Sequence, residues 1–323
     1  MTKIKFIFII LFICLIFLIT GCSSYKEINN VLIVDGIGID KVNDKYIVSF
    51  NSFVENDEYK VIDIEVDNID EAFRDVYLLS NKKIYLSHLD ILLLSSKLSN
   101  EDIINIVNTF NNRNDIRGTF LVSLVHKYKS NIFSNKSLYL TNLIKNNYYE
   151  SGDIYPSTFN DIINNYLDFN ISYIPVISND LHIMGTHSIF DEFRYYNIDE
   201  SKYLNLILNR NKVLVLDIKN EEVKFKDINI LYNATGNNLS INIYMTYVSN
   251  LDEREIVSYL ENKYIYLLNL DINNNYFKTL IMKYDYDYYK MNQSFDISYD
   301  IKICLNKEDI SNTKGGNYFE KDI

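Results

Sequence analysis

Apolar and polar residues alternate most regularly near the C-terminus, where Phe295, Ile297, Tyr299, Ile301, Ile303 and Leu305 are separated by polar positions. A period of two puts every second side chain on one face, so this segment predicts a strand buried on one side. Residues 31–40 and 46–54 are rich in β-branched and aromatic residues, and the polar stretch 41–45 between them predicts a hairpin turn. Residues 61–66 alternate like a half-buried strand, and 91–94 form a short apolar run. Helical spacing follows in Ile69, Phe73, Val76 and Tyr77 behind the capping pair Asp67-Asn68. Ser99-Asn100-Glu101-Asp102 has capping-box spacing, with Asp in the usual Glu position, and opens a helix whose face is Ile103, Ile104, Val107 and Phe110. A strand is predicted over 119–126 and a weaker helix over 134–149. Another helix follows, capped by Ser157, with Phe159, Ile162, Ile163, Tyr166 and Leu167 on one face.

Around residues 173–190 the pattern turns to strand, and Pro175 suits an edge strand or a strand start because it has no ladder N–H to give. Beyond it the pattern predicts a short helix over 199–208, then strands over 213–218, 223–231 and 239–248. Helices over 252–268 and 276–289 follow. The fold class is therefore α+β with mixed sheets and a junction near 180–200. The regions are 1–21, 22–190, 191–309 and a polar tail over 310–323.

The chain begins with Lys3 and Lys5, an apolar run over 6–19 and then Thr20-Gly21-Cys22. That run has 14 residues, short of the ~20 that span a bilayer, and its basic start and small-residue end fit a secretory signal. Leu18-Ile19-Thr20-Gly21-Cys22 resembles the bacterial lipobox. The resemblance implies a diacylglyceryl group, and an N-acyl chain, on Cys22 after residues 1–21 are cleaved. The formal charge of the full chain is −11, and losing Lys3 and Lys5 deepens it to −13. Such an acidic balance argues against nucleic acid and against a basic lipid-binding patch, so membrane attachment falls to the acyl chains. Cys304, on the polar face of its strand, is then the one other cysteine, and no intrachain disulfide forms.

No catalytic pattern emerges. His88, His126, His182 and His187 lack metal-ligand spacing, and no Gly-x-Ser-x-Gly elbow occurs. Gly36-Ile37-Gly38 is not a dinucleotide loop, since Lys41 stands at the third glycine position. Glycines inside a strand mark a bulge or a close backbone approach instead. Thr313-Lys314-Gly315-Gly316 lies in the tail, and Asp285 and Asp287 suit a solvated helix face. Arg113, Asp115 and Arg117 suit an ion-paired turn.

Taken in order, the motifs resemble the Ger(x)C spore germination lipoproteins, the C subunits of nutrient germinant receptors. The resemblance runs through residues 22–28, through Val34-Asp35-Gly36-Ile37-Gly38-Ile39-Asp40, and through Ser87-His88-Leu89-Asp90. It continues in 110–117, which hold Arg113 and Arg117, and in 181–190 around Gly185. Ser23-Ser24 replaces a Trp-Asp pair common in the family, and the C-terminal region is shorter. The resemblance implies three tandem α+β domains, no enzymatic activity and no cofactor. It also implies a lipid anchor on the exported side of the spore inner membrane and assembly with two integral-membrane subunits. One of these is A-type and the other transporter-like and B-type. A lipid-anchored solute-binding protein is the alternative, and for it a two-lobed architecture with a hinge is expected.

Overall fold

A computed structural model describes residues 31–54, 58–135, 137–190, 193–269, 274–292 and 296–308. Residues 1–30, with the signal segment and Cys22, lie outside the described residues, as do Phe295 and the 310–323 tail. β1 (Val31–Val42) and β2 (Lys45–Val54) pair antiparallel as the pattern predicts. Asn43 and Asp44 turn the chain with φ of 51° and 65°. Two left-handed residues match the strand twist of a tight hairpin, and Asn and Asp tolerate that region well. β3 (Glu58–Val66) adds an edge.

Helical crossovers then return the chain to the sheet in parallel, as parallel pairing requires. α1 (Ile69–Ser80) is capped by Asn68 and leads to β4 (Lys83–Tyr85) and β5 (Ile91–Ser95). α2 (Asn100–Asn111), opened by the Ser99–Asp102 capping box, leads to β6 (Leu121–His126). A 3-10 turn (Ser130–Asn135), α3 (Ser137–Glu150) and α4 (Phe159–Phe169) precede β7 (Ile171–Ser178). β8 (Ile183–Phe190) and β9 (Tyr195–Asn197) complete the sheet. Its order is β3-β2-β1-β5-β6-β7-β8-β9, with β4 beside the start of β1. β5, fully buried and apolar until Ser95, has helices over both faces. Residues of α1, α2 and α4 share one core with one face, and the 3-10 turn and α3 share another with the opposite face.

α5 (Ile198–Ile207) leads to a second sheet of β10 (Leu214–Ile218), β11 (Glu221–Thr235), β12 (Asn238–Val248) and β13 (Ser298–Lys307), in that order. α6 (Glu253–Asn269) and α7 (Asn274–Tyr284) bury Ile256, Leu260, Phe277 and Ile281 against it, and α8 (Tyr286–Met291) follows. The chain is thus α+β. Ile171, Tyr173 and Tyr196 of the first sheet belong to the second core. The half-buried Lys202–Asp153 pair at 3.1 Å and the Val215 N–H donated to Ser151 O at 3.0 Å also join the two parts.

The structure corrects several expectations. Pro175 stands inside the sheet, not at an edge, between β6 and β8. The parallel ladder with β6 begins at Val176, so no donor is taken from proline on that side, and Ser123 Oγ donates to Pro175 O at 2.9 Å. Thr158, not Ser157, caps α4, while Ser157 Oγ donates to Tyr173 O. Leu167, expected on the apolar face, is exposed. The helix expected over 276–289 breaks at Asp285, which caps α8 and also accepts from Gly236 N. Of the alternating strand near the C-terminus, Ile303 is buried, whereas Tyr299, Ile301 and Leu305 are half-buried.

Candidate functional site: two rims of the first sheet

β1, β5, β6 and β7 are mutually parallel, so all four start at one end of the sheet. Their starts and the loops that feed them make an amino rim, and their ends make a carboxyl rim. Three motif residues meet at the amino rim. His88 is exposed just before β5, its ring 5.6 Å from that of Tyr85. Arg113, after α2, grips Asp115 with two bonds of 3.1 and 2.7 Å and lies 4.1 Å from the centre of the Phe73 ring. Ser87 Oγ donates to Asp115 O at 3.4 Å, which ties the two loops together. The clamp foreseen in this turn is therefore Arg113–Asp115. Arg117 stands outside it, exposed to solvent.

Beneath the rim lies a buried polar node. The pairing slips between Val34 and Gly36, so Asp35 is the extra residue of a β-bulge. Asp35 Oδ1 accepts from Asn51 Nδ2 at 2.8 Å and from Ser137 Oγ at 2.9 Å. Burial pushes the Asp35 pKa up to about 6, with hydrogen bonds from Ser137 and Asn51 opposing it and the Asp90 carboxylate adding to it. Asp35 O accepts from Asp90 N at 2.8 Å, and Asp90 O accepts from Leu121 N at 2.9 Å, so the node is wired to the starts of β5 and β6. Burial also raises Asp90, against the pull of Lys145 and His88.

The glycines make room for this packing. A Cβ on Gly36 would lie 2.3 Å from Ser137 Oγ and 2.6 Å from Phe133. On Gly38 it would lie 1.8 Å from the Tyr128 hydroxyl. Both are close approaches of neighbours to bare backbone, as the strand glycines predict. Gly185, away from this node, has a φ of 143°, and a Cβ there would meet Tyr196 O at 2.1 Å.

The carboxyl rim is closed by charge. Asp102 Oδ1 accepts from Lys41 Nζ at 2.7 Å and Tyr46 Oη at 2.6 Å, and Oδ2 accepts from the Ser99 hydroxyl and N–H. Burial works to raise Asp102, but these bonds outweigh it and hold its pKa down at about 2. Asp40 lies here too, paired with Lys97 at 3.2 Å. The motif residues thus divide, with His88, Arg113 and Arg117 at one rim, Asp40 at the other and the two glycines between. Sequence reasoning missed Asp35 as a site; its signal was an acid inside the apolar run of β1.

Among the described residues no group of three or more His, Cys, Asp and Glu is placed to hold a metal, and no helix is long and apolar enough to cross a membrane. Cys304 is a half-exposed free thiol. A polar groove of about 510 Å³ runs between the start of α1 and α2, lined by Tyr46, Asp67, Asp70, Asn105, Asn108 and Asn112 among others.

Residues 24–179 match the family model for the spore germination protein N-terminal domain. Spore germination protein KC of Bacillus subtilis (strain 168) is 22% identical over 142 residues, which span 39% of this chain and 35% of that relative. The crystal structure of the GerBC protein superposes with a TM-score of 0.48 at 15% identity, over 84% of this chain and 96% of the other.

Proposed function

From a chain that is a Ger(x)C-family protein, residues 24–179 forming its spore germination protein N-terminal domain, we propose a lipid-anchored, non-catalytic C subunit of a spore nutrient germinant receptor. In this reading Cys22 carries the acyl chains, and the protein stands on the exported side of the spore inner membrane. It assembles there with the A-type and the transporter-like B-type integral-membrane subunits and is needed for germination in response to small nutrients. The observation that carries the reading is positional. His88, Arg113 and Arg117 gather at the amino rim, the end at which β1 enters the sheet, nine residues after Cys22. A tether of that length reaches at most about 30 Å, so this rim is the part of the sheet held nearest the anchor.

The test replaces Cys22 by Ala. Fatty-acid label is lost from the protein, and the germination response falls sharply with it. Label retained on the variant contradicts the anchor, and a normal nutrient response in spores lacking the protein contradicts the receptor role. The second reading, a lipid-anchored solute-binding protein, draws on the polar groove beside α1. Its mark is a raised melting midpoint with an amino acid, sugar or nucleoside added to this chain alone.

A further inference from the structure

Several exposed apolar side chains gather where the chain enters the first sheet. Tyr77, Leu78 and Leu79, in the last turn of α1, are 49%, 68% and 70% exposed. Phe53 at the end of β2 and Tyr85 at the end of β4 are exposed as well. Leu79 and Phe53 also line a groove of about 370 Å³ floored by Leu32 and Ile62, with Lys60 and Lys82 at its edge. Other apolar residues as exposed as these, Leu138, Tyr139 and Tyr149 on α3, Leu167 on α4, Leu231 on β11 and Tyr286 and Met291 on α8, lie away from the chain's entry into the sheet. Exposed apolar side chains clustered around a groove are uncommon on a water-facing surface and mark a place where something covers them.

We propose that this patch is a membrane-resting face, seated in the interfacial layer of the lipid bilayer to which Cys22 anchors the chain; the proposal rests on that reading of Cys22. Three observations favour lipid as the occupant. The patch surrounds the start of β1, where Val31 pairs with Lys83, so the short tether holds it near the bilayer. Its composition is leucine with tyrosine and flanking lysine, and such side chains place apolar bodies in the acyl boundary and polar ends among headgroups. Its seating does not depend on acidic lipid, because the mature chain is strongly acidic and the groove brings only Lys60 and Lys82 to the patch. Apolar insertion is therefore the contact, and neutral phospholipid suffices for it.

The chain contains no Trp, so one introduced Trp reports alone. Leu79→Trp and, separately, Leu78→Trp are placed in the full lipidated mature chain on vesicles of phosphatidylcholine. Val42→Trp serves as the distant reporter, at the other end of β1 and about 35 Å away at strand rise. The proposal expects blue-shifted emission from both leucine positions and quenching by lipids brominated in the upper acyl chain, with Val42→Trp unquenched. If the protein floats with the vesicles and neither leucine reporter is quenched, the patch is not on the membrane, although the anchor stands. Failure to float overturns anchor and patch together. A shift that needs an added integral-membrane protein and comes without bromine quenching assigns the patch to a protein partner and overturns the proposal.

Discussion

The two rims of the first sheet each bury an aspartate, and the two are driven in opposite directions. Asp35 accepts bonds from a carboxamide and a hydroxyl and has the Asp90 carboxylate near it, so burial prevails and its pKa reaches about 6. Asp102 is as buried, yet a lysine, a tyrosine and both donors of its own cap face it, and its pKa is held at about 2. What separates them is the charge and number of their donors, since a hydrogen bond to an ion is roughly twice as strong as a neutral one. The carboxyl rim is thus locked by its ions. The amino rim has an ion at its centre that folding holds at a cost, with exposed apolar residues and one exposed arginine at its surface. This asymmetry is why the amino rim is assigned to contact and the carboxyl rim to structure.

The largest effect is expected between the rims, where the packing is closest. Gly38→Val drives a side chain into the Tyr128 ring and is expected to cost about 3 kcal/mol or more in denaturant melts, beyond ordinary surface changes. A stable variant means that Tyr128 can leave its place over β1.

Next is Asp102→Ala, which strands Lys41 and the Tyr46 hydroxyl and removes the anchor of the α2 cap; about 2–4 kcal/mol is expected. Its pH dependence has a definite sign. A depressed carboxylate stabilises the fold above its unfolded pKa of 3.8 and loses that contribution as pH falls toward about 2. The wild type and the variant should therefore converge in stability below pH 3.8.

Asp35→Asn inverts the comparison. A raised carboxylate favours the folded state while it is protonated, and the fold loses that advantage as pH climbs from 3.8 through about 6. The neutral amide keeps its acceptor and removes the ion. At pH 7.5 the variant is expected to be more stable than the wild type by up to about 3 kcal/mol, and near pH 3.5 the advantage disappears. Equal curves across that range contradict a buried, destabilising Asp35 ion.

The smallest stability effects separate the two arginines. Arg113→Ala loses the Asp115 grip and the Phe73 ring contact and should cost about 1 kcal/mol, while Arg117→Ala should cost under about 0.5 kcal/mol. If Arg117→Ala lowers the melting midpoint as much as Arg113→Ala, Arg117 is structural and not free for contact.

What the sequence disclosed was local. Asn43-Asp44 announced its turn, and Ser99 with Asp102 announced the cap, because each acts within four residues. The faces of β13 were legible from its alternation, although the depth of burial was not, because that depends on what covers the strand. Pro175 misled because a single strand does not reveal its rank in a sheet; the register that tolerates proline there is set by β6, some fifty residues earlier. Asp35 stayed hidden for a similar reason. Its bulge needs Asn51 opposite and Ser137 above, and neither is near in sequence. The Arg113–Asp115 pairing was readable from spacing, whereas the gathering of His88 and Arg113 at one rim required the parallel order of the strands.

The division of labour between the rims is tested most directly by photo-crosslinking in spores. A photoreactive amino acid replaces Arg117 at the amino rim or Asn43 in the turn at the far end of β1. The account predicts adducts with an integral-membrane receptor subunit from position 117 and none from position 43. Adducts from position 43 with none from 117 would contradict it.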